Sequence, residues 1–146
     1  MELTFEQALQ QGIAAHKEGK LQDAERFYRA ILESQPGHPD ANHNLGVLAV
    51  SVDKAEAALP LFKKALEANP KVEQFWLSYI NALIKEQQFE NAKRVFEQAK
   101  TQGVAEEKLN NKTSLSYRLY MDPGGSLPTF LIDMINKTSV VNIFEE

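Results

Sequence analysis

The 146-residue chain contains no cysteine, which excludes disulfides, thiolate metal sites and cysteine nucleophiles at once and leaves the redox compartment open. Long apolar runs are missing too, and none approaches the roughly 20 residues needed to span a bilayer. Nor is there an excess of basic charge. Sixteen Lys and Arg stand against twenty Asp and Glu, for a net charge of −4, so the composition carries no electrostatic drive toward nucleic acid or anionic membranes. The start, Met1-Glu2-Leu3-Thr4-Phe5-Glu6, lacks the basic-then-apolar pattern of a signal peptide, which predicts a cytoplasmic protein. What is present is a balance of 43% hydrophobic and 25% charged residues, that of a folded globular chain rather than a disordered one. The length allows one ordinary domain. Charge is spread unevenly: residues 113–146 carry only Arg118, Lys137, Asp122, Asp133, Glu145 and Glu146, so the chain changes character near Lys112.

A period of 34 residues organises the first part. Ala24, Ala58 and Ala92 keep it, as do Tyr28, Phe62 and Phe96. Gly12 and Gly46, Pro36 and Pro70, and Ala65 and Ala99 repeat the spacing, and Leu21, Ala55 and Phe89 share a further register. Each period reads as a helical hairpin. Thr4 with Gln7 makes a capping box for a helix over 5–18, stopped by Gly19. Further helices are predicted over about 22–34, 40–52, 56–68, 73–86 and 90–102, with Pro60 in the first turn or so of its helix, where a missing N–H costs least. Small residues at Gly12, Gly46, Ala24, Ala58 and Ala92 allow close helix approach, and the aromatics are expected to fill the gap toward the next hairpin. No hairpin buries its apolar face alone, so three must stack.

On these residues the stretch from about Phe5 to Gly103 resembles the tetratricopeptide repeat family. The second repeat carries the pattern best: Asn42-x-x-Leu45-Gly46-x-x-Ala49, then Ala58-x-x-x-Phe62, then Pro70. The third keeps Trp76, Leu83, Ala92, Phe96 and Ala99 but has Tyr79-Ile80 where the family favours Leu-Gly, and lacks the closing proline. The segments Tyr28-Arg29-Ala30-Ile31-Leu32 and Leu45-Gly46-Val47 look like bacterial members often attached to sugar- or sulfate-transferring enzymes, which implies an alternative role as a docking arm of a larger transferase. The resemblance implies an all-α fold, three hairpins (about 5–38, 39–72 and 73–104) in a right-handed solenoid, and a non-catalytic protein–protein interaction module. Its concave wall would present Leu9, Gln10, Ile13, His16 and Lys17, then His43, Asn44, Val47 and Val50, then Gln74, Leu77, Ser78, Asn81 and Lys85. An apolar wall with scattered amides suits an extended segment or an amphipathic helix. Family members that grip acidic C-termini use a clamp of Lys and Asn, then Asn, then Lys and Arg, at sites that are Leu9 and Ile13, then Asn44, then Gln74 and Ser78 here; only Asn44 fits that clamp, and a free carboxylate would lose its charge-assisted bonds.

Chemistry beyond binding is not legible. His38 and His43, with Asp40 between, could ligate a metal, but solvated residues at a loop edge are the plainer reading. Asp122-Pro123-Gly124-Gly125 lacks the Lys-Ser/Thr of a phosphate cradle and reads as a turn. The expectation is no catalytic residue, no metal and no cofactor.

The tail departs from the repeat. After a short capping helix over 105–111, residues 114–122 alternate with Leu115, Tyr117, Leu119 and Met121 on one side, a strand pattern. Ser126 and Pro128 then open a helix whose apolar stripe is Phe130, Leu131, Met134 and Ile135. The run Ser116-Tyr117-Arg118-Leu119-Tyr120-Met121-Asp122-Pro123-Gly124-Gly125-Ser126-Leu127-Pro128, followed by an apolar helix, resembles the end of a START lipid-transfer domain, which would imply lipid association. A lone strand needs a partner. The division expected is a repeat domain, 1–112, and a strand-turn-helix tail, 113–146. The tail would cap the face left by Val95, Phe96 and Ala99, or swap with a second molecule to make a homodimer.

Overall fold

Six helices alternate with tight turns because each 34-residue period supplies two amphipathic stretches and a stop signal after each. A computed structural model describes residues 3–104 of the chain. Its helices are α1 (Phe5–Lys17), α2 (Leu21–Ser34), α3 (Pro39–Ser51), α4 (Ala55–Ala68), α5 (Glu73–Lys85) and α6 (Phe89–Thr101). These lie within a residue or so of the predicted spans, and no strand occurs among the described residues. The capping box is present as read: the Gln7 N–H donates to Thr4 Oγ1 at 3.1 Å and the Thr4 N–H donates to Gln7 Oε1 at 2.9 Å. Pro60 sits deeper than the first turn, as the sixth residue of α4. It points to solvent and the helix continues through it to Ala68.

The turn inside each hairpin obeys the period down to its backbone. Gly19, Asp53 and Gln87 all take positive φ, at 79°, 60° and 60°. The residue after each, Lys20, Lys54 and Gln88, donates its N–H to the carbonyl of Ala15, Ala49 and Leu83, every time at 2.8 Å. This is a Schellman closure, which satisfies a carbonyl that the helix end would otherwise orphan. Only the first of the three has the glycine that such a φ favours.

The chain divides into two compact units, Met1–Phe75 and Trp76–Glu146. In the first, α1 packs on α2, α3 on α4, and α2 and α1 both touch α3. Ala24 and Ala58 are fully buried, with Tyr28, Ile31 and Phe62 almost so. Here the structure changes the reading of the aromatics. A methyl placed on Gly12 would lie 2.5 Å from Tyr28 Cε1, and one on Gly46 would lie 2.5 Å from Phe62 Cε1. Each ring therefore fills the glycine notch of its own hairpin rather than a gap toward the next. Hydrogen bonds tie the link between hairpins: the buried Asn42 amide donates to the carbonyls of Pro36 and His38, both at 3.0 Å.

In the second unit α5 is buried at Trp76, Leu77, Ile80, Ala82, Leu83 and Ile84, and α6 at Ala92, Val95, Phe96 and Ala99. Gly103, with φ 91°, ends α6, and the Val104 N–H returns to Ala99 O at 3.2 Å. The expected helix over 105–111, the strand over 114–122 and the apolar helix after Ser126 lie outside the described residues.

Candidate functional site

Residues 34 apart on the first helices of the hairpins share one register, and three registers of the expected wall recur in all three repeats. The deepest holds Leu9, His43 and Leu77, with 5%, 8% and 2% of their surface exposed. Leu9 belongs to the core cluster that also contains Tyr28, Ile31 and Leu45. These three side chains are packing seams, not open surface.

His43 has a structural task. Its ring lies 4.8 Å from that of Phe75 and 5.5 Å from that of Phe62, tilted against both. Its Nδ1 is 3.3 Å from Asn44 Oδ1. Burial pushes its pKa below the ordinary histidine value, only partly opposed by the Asn44 bond and the Asp40 carboxylate, so the neutral ring is favoured. His38 is occupied differently: as N-cap of α3 its Nδ1 accepts the Ala41 N–H at 3.1 Å. The possible His38–Asp40–His43 metal cluster is thus split between a cap and an aromatic stack. Among the described residues no group of three or more His, Cys, Asp or Glu side chains is arranged to hold a metal.

The next registers are open. On α1, Gln10 and Lys17 are exposed while Ile13 and His16 are half-buried; on the adjoining α3, Asn44, Val47 and Val50 are half-buried. Within the first unit α1 touches α3, and the open positions on the two helices carry both apolar side chains and amides, with Gln74 exposed at the start of α5. In the second unit Ser78, Asn81 and Lys85 are half-buried. The Asn81 Oδ1 is buried without a hydrogen-bond partner, so an incoming N–H donor would satisfy it.

The sequence reading passed over a cleft between the start of α1 and the length of α2, floored by Leu3, Phe5, Phe27 and Ala30. Its signal was there: Phe27 and Ala30 lie three residues apart on one face of α2, and Leu3 and Phe5 bracket the α1 cap.

With the hairpins, their glycine notches and the 34-residue register in place, comparison with known proteins becomes decisive. Two family profiles, each described as tetratricopeptide repeat, match residues 9–73 and 49–108, together covering 9–108. The chain belongs to the tetratricopeptide repeat family. Its fold is the all-α helical repeat of that family, and tetratricopeptide repeats are protein–protein interaction modules, which makes this chain one. Solved structures agree. A MamA point mutant is 26% identical with a TM-score of 0.65, over 92% of this chain and 77% of that one. The tetratricopeptide domain of Sgt2 from Aspergillus fumigatus is 17% identical with a TM-score of 0.68, over 85% and 84% of the two chains. The Yersinia enterocolitica type III secretion translocator chaperone SycD is 15% identical with a TM-score of 0.67, over 82% and 93%. The last two share the fold alone. No curated protein matches by sequence. None of the described tetratricopeptide helices is long and apolar enough to cross a membrane.

Proposed function

We propose that the module is non-catalytic and holds a protein segment against the strip formed by Gln10, Ile13, His16 and Lys17 of α1 and Asn44, Val47 and Val50 of α3. The observation that carries this is the separation of registers. The seam residues Leu9 and His43 are packed away, while the neighbouring strip stays partly open and carries both apolar side chains and amides. Such a surface gives apolar contact for a side chain and backbone hydrogen bonds from an amide, with Lys17 as its one fixed charge. The histidines support the non-catalytic reading, since His38 is spent on a helix cap and His43 on an aromatic stack. Gln74 is proposed with the strip of the first unit, and Ser78, Asn81 and Lys85 of the second unit are proposed separately, with the buried Asn81 oxygen as an acceptor for a partner's backbone. We place the boundary of the repeat part near Lys112, with residues 113–146 as a distinct tail.

The test is affinity capture from the source cells with the full chain, against an Asn44→Ala/Val47→Glu double variant. Both side chains are half-buried, so circular dichroism must first show the helices intact. Lost capture at unchanged helicity supports the strip. Equal capture moves the partner elsewhere.

A further inference from the structure

The burial of the third hairpin exceeds what a last hairpin should show. Within the first unit α2 touches α1 and α3, so it sets the standard for a helix flanked twice. Its Ala24, Tyr28 and Ile31 are buried, while Phe27 and Leu32 stay half-buried. The helix α6 is the last one described, with no follower, yet Ala92, Phe96 and Ala99 are fully buried. Val95, at the register of Phe27, is only 6% exposed. Lys100, at the register of Leu32, has a side chain only 19% exposed, with its Nζ 5.4 Å over the centre of the Phe96 ring. On α5, Ile84 is fully buried, whereas His16, its counterpart on α1, is half-buried. An uncovered surface looks different: at the start of the first hairpin Leu3 and Phe5 stand exposed, and no large hydrophobic side chain of residues 76–104 does.

These exposures are those of one chain by itself, so the cover belongs to that chain. Val104, which closes α6 with its bond to Ala99, is buried as well, so the chain leaves the helix on a covered surface. The second compact unit runs from Trp76 through to Glu146. Two stretches beyond Val104 compete for the role by sequence. Residues 105–111 read Ala-Glu-Glu-Lys-Leu-Asn-Asn, and a single leucine among three charges has too little apolar area to seal such a face. Phe130, Leu131, Met134 and Ile135 supply four large apolar side chains, at the spacing that puts them on one face of a helix. We infer that the segment carrying Phe130, Leu131, Met134 and Ile135 docks on the third hairpin of its own chain, over Ile84, Val95 and Ala99. It closes the side on which a fourth hairpin would stack, as a cap in cis and not by exchange between copies.

The experiment is hydrogen exchange on the full chain, read by mass spectrometry, with sedimentation at the same micromolar concentrations. Leu131→Asp and Met134→Asp each put a charge into the apolar stripe, whereas Thr129→Asp lies on the opposite side of the same segment. Each stripe variant should speed exchange at the end of α5 and along α6 by about tenfold or more, with α1 to α4 keeping wild-type rates. Thr129→Asp should change neither. Leu131→Ala, a gentler change, should speed exchange at the same amides by a smaller factor even if aspartate unfolds the whole chain. The wild type should sediment as a monomer. Unchanged protection of α5 and α6 in all the stripe variants overturns the inference. So does an equal loss of protection over all six helices in Leu131→Ala. A wild type that dimerises, and loses protection of α5 and α6 on dilution, overturns it too and assigns the cover to a second copy.

Discussion

The first two hairpins and the third solve the same packing problem with different residues. Gly12 and Gly46 accept a ring edge at a distance that no side chain would tolerate, whereas the same register in the third repeat holds Ile80, itself fully buried. The 34-residue period preserves the position while the volume at that position changes from nothing to a branched side chain. Close packing demands that a notch be filled, not that one residue type fill it. Glycine is needed only where a ring has taken the space.

The largest expected effect comes from breaking the third repeat's solution. Ile80→Gly empties a fully buried site and adds glycine's backbone entropy, for a loss of about 3–5 kcal/mol. Urea unfolding of the full chain measures it, and a cost no greater than that of Gly46→Ala would show that the two solutions are interchangeable. Gly46→Ala itself drives a methyl into the buried Phe62 ring, and is expected to lose about 1–3 kcal/mol despite alanine's higher helix propensity. The register that holds Ala8, Asn42 and Trp76 offers a polar version of the contrast. Asn42→Ala removes both hydrogen bonds to the Pro36–His38 link and should lower stability by about 1–3 kcal/mol. A melting temperature unchanged by that substitution would mean that the link holds itself.

Turns sharpen the comparison in the favourable direction. Gln87 takes the positive φ that Gly19 takes freely, at a cost of about 1–2 kcal/mol for an L-residue. Gln87→Gly should therefore stabilise by roughly 0.5–1 kcal/mol after glycine's larger chain entropy is subtracted. A lower melting temperature would contradict this. The smallest effect separates His43 from Leu9 and Leu77, its counterparts 34 residues away. Because burial holds the His43 pKa below its ordinary value of 6.5, the unfolded chain binds the proton more readily than the folded one. Stability is then fully present above that ordinary value. It declines as pH falls through it, and the decline ends below the folded-state pKa. His43→Leu should flatten this part of the stability–pH curve, and an identical curve in the variant would assign the slope to other groups.

Much of the fold was legible because its signals are local and periodic. Thr4 with Gln7, Gly19 before α2 and Gly103 after α6 each mark a helix end through chemistry contained within a few residues. The site was legible only in part. Periodicity identifies which residues share a face of α1 or α3, but Leu9 and Asn44 occupy adjacent registers, and burial alone separates seam from strip. His43 shows the same limit: a histidine five residues from His38 reads as a solvated loop-edge residue until Phe62 and Phe75 are seen around its ring.

The sequence by itself determined the number of described helices, their ends to within a residue or so, the period and the family, because hydrogen-bonded helices and their caps are written in short-range spacing. Only the tertiary structure decided that Tyr28 and Phe62 close over glycines in their own hairpins, and that an apolar cleft on α1 and α2 is left open. Each of these depends on which surfaces meet across distant parts of the chain, and packing between distant residues has no one-dimensional signature.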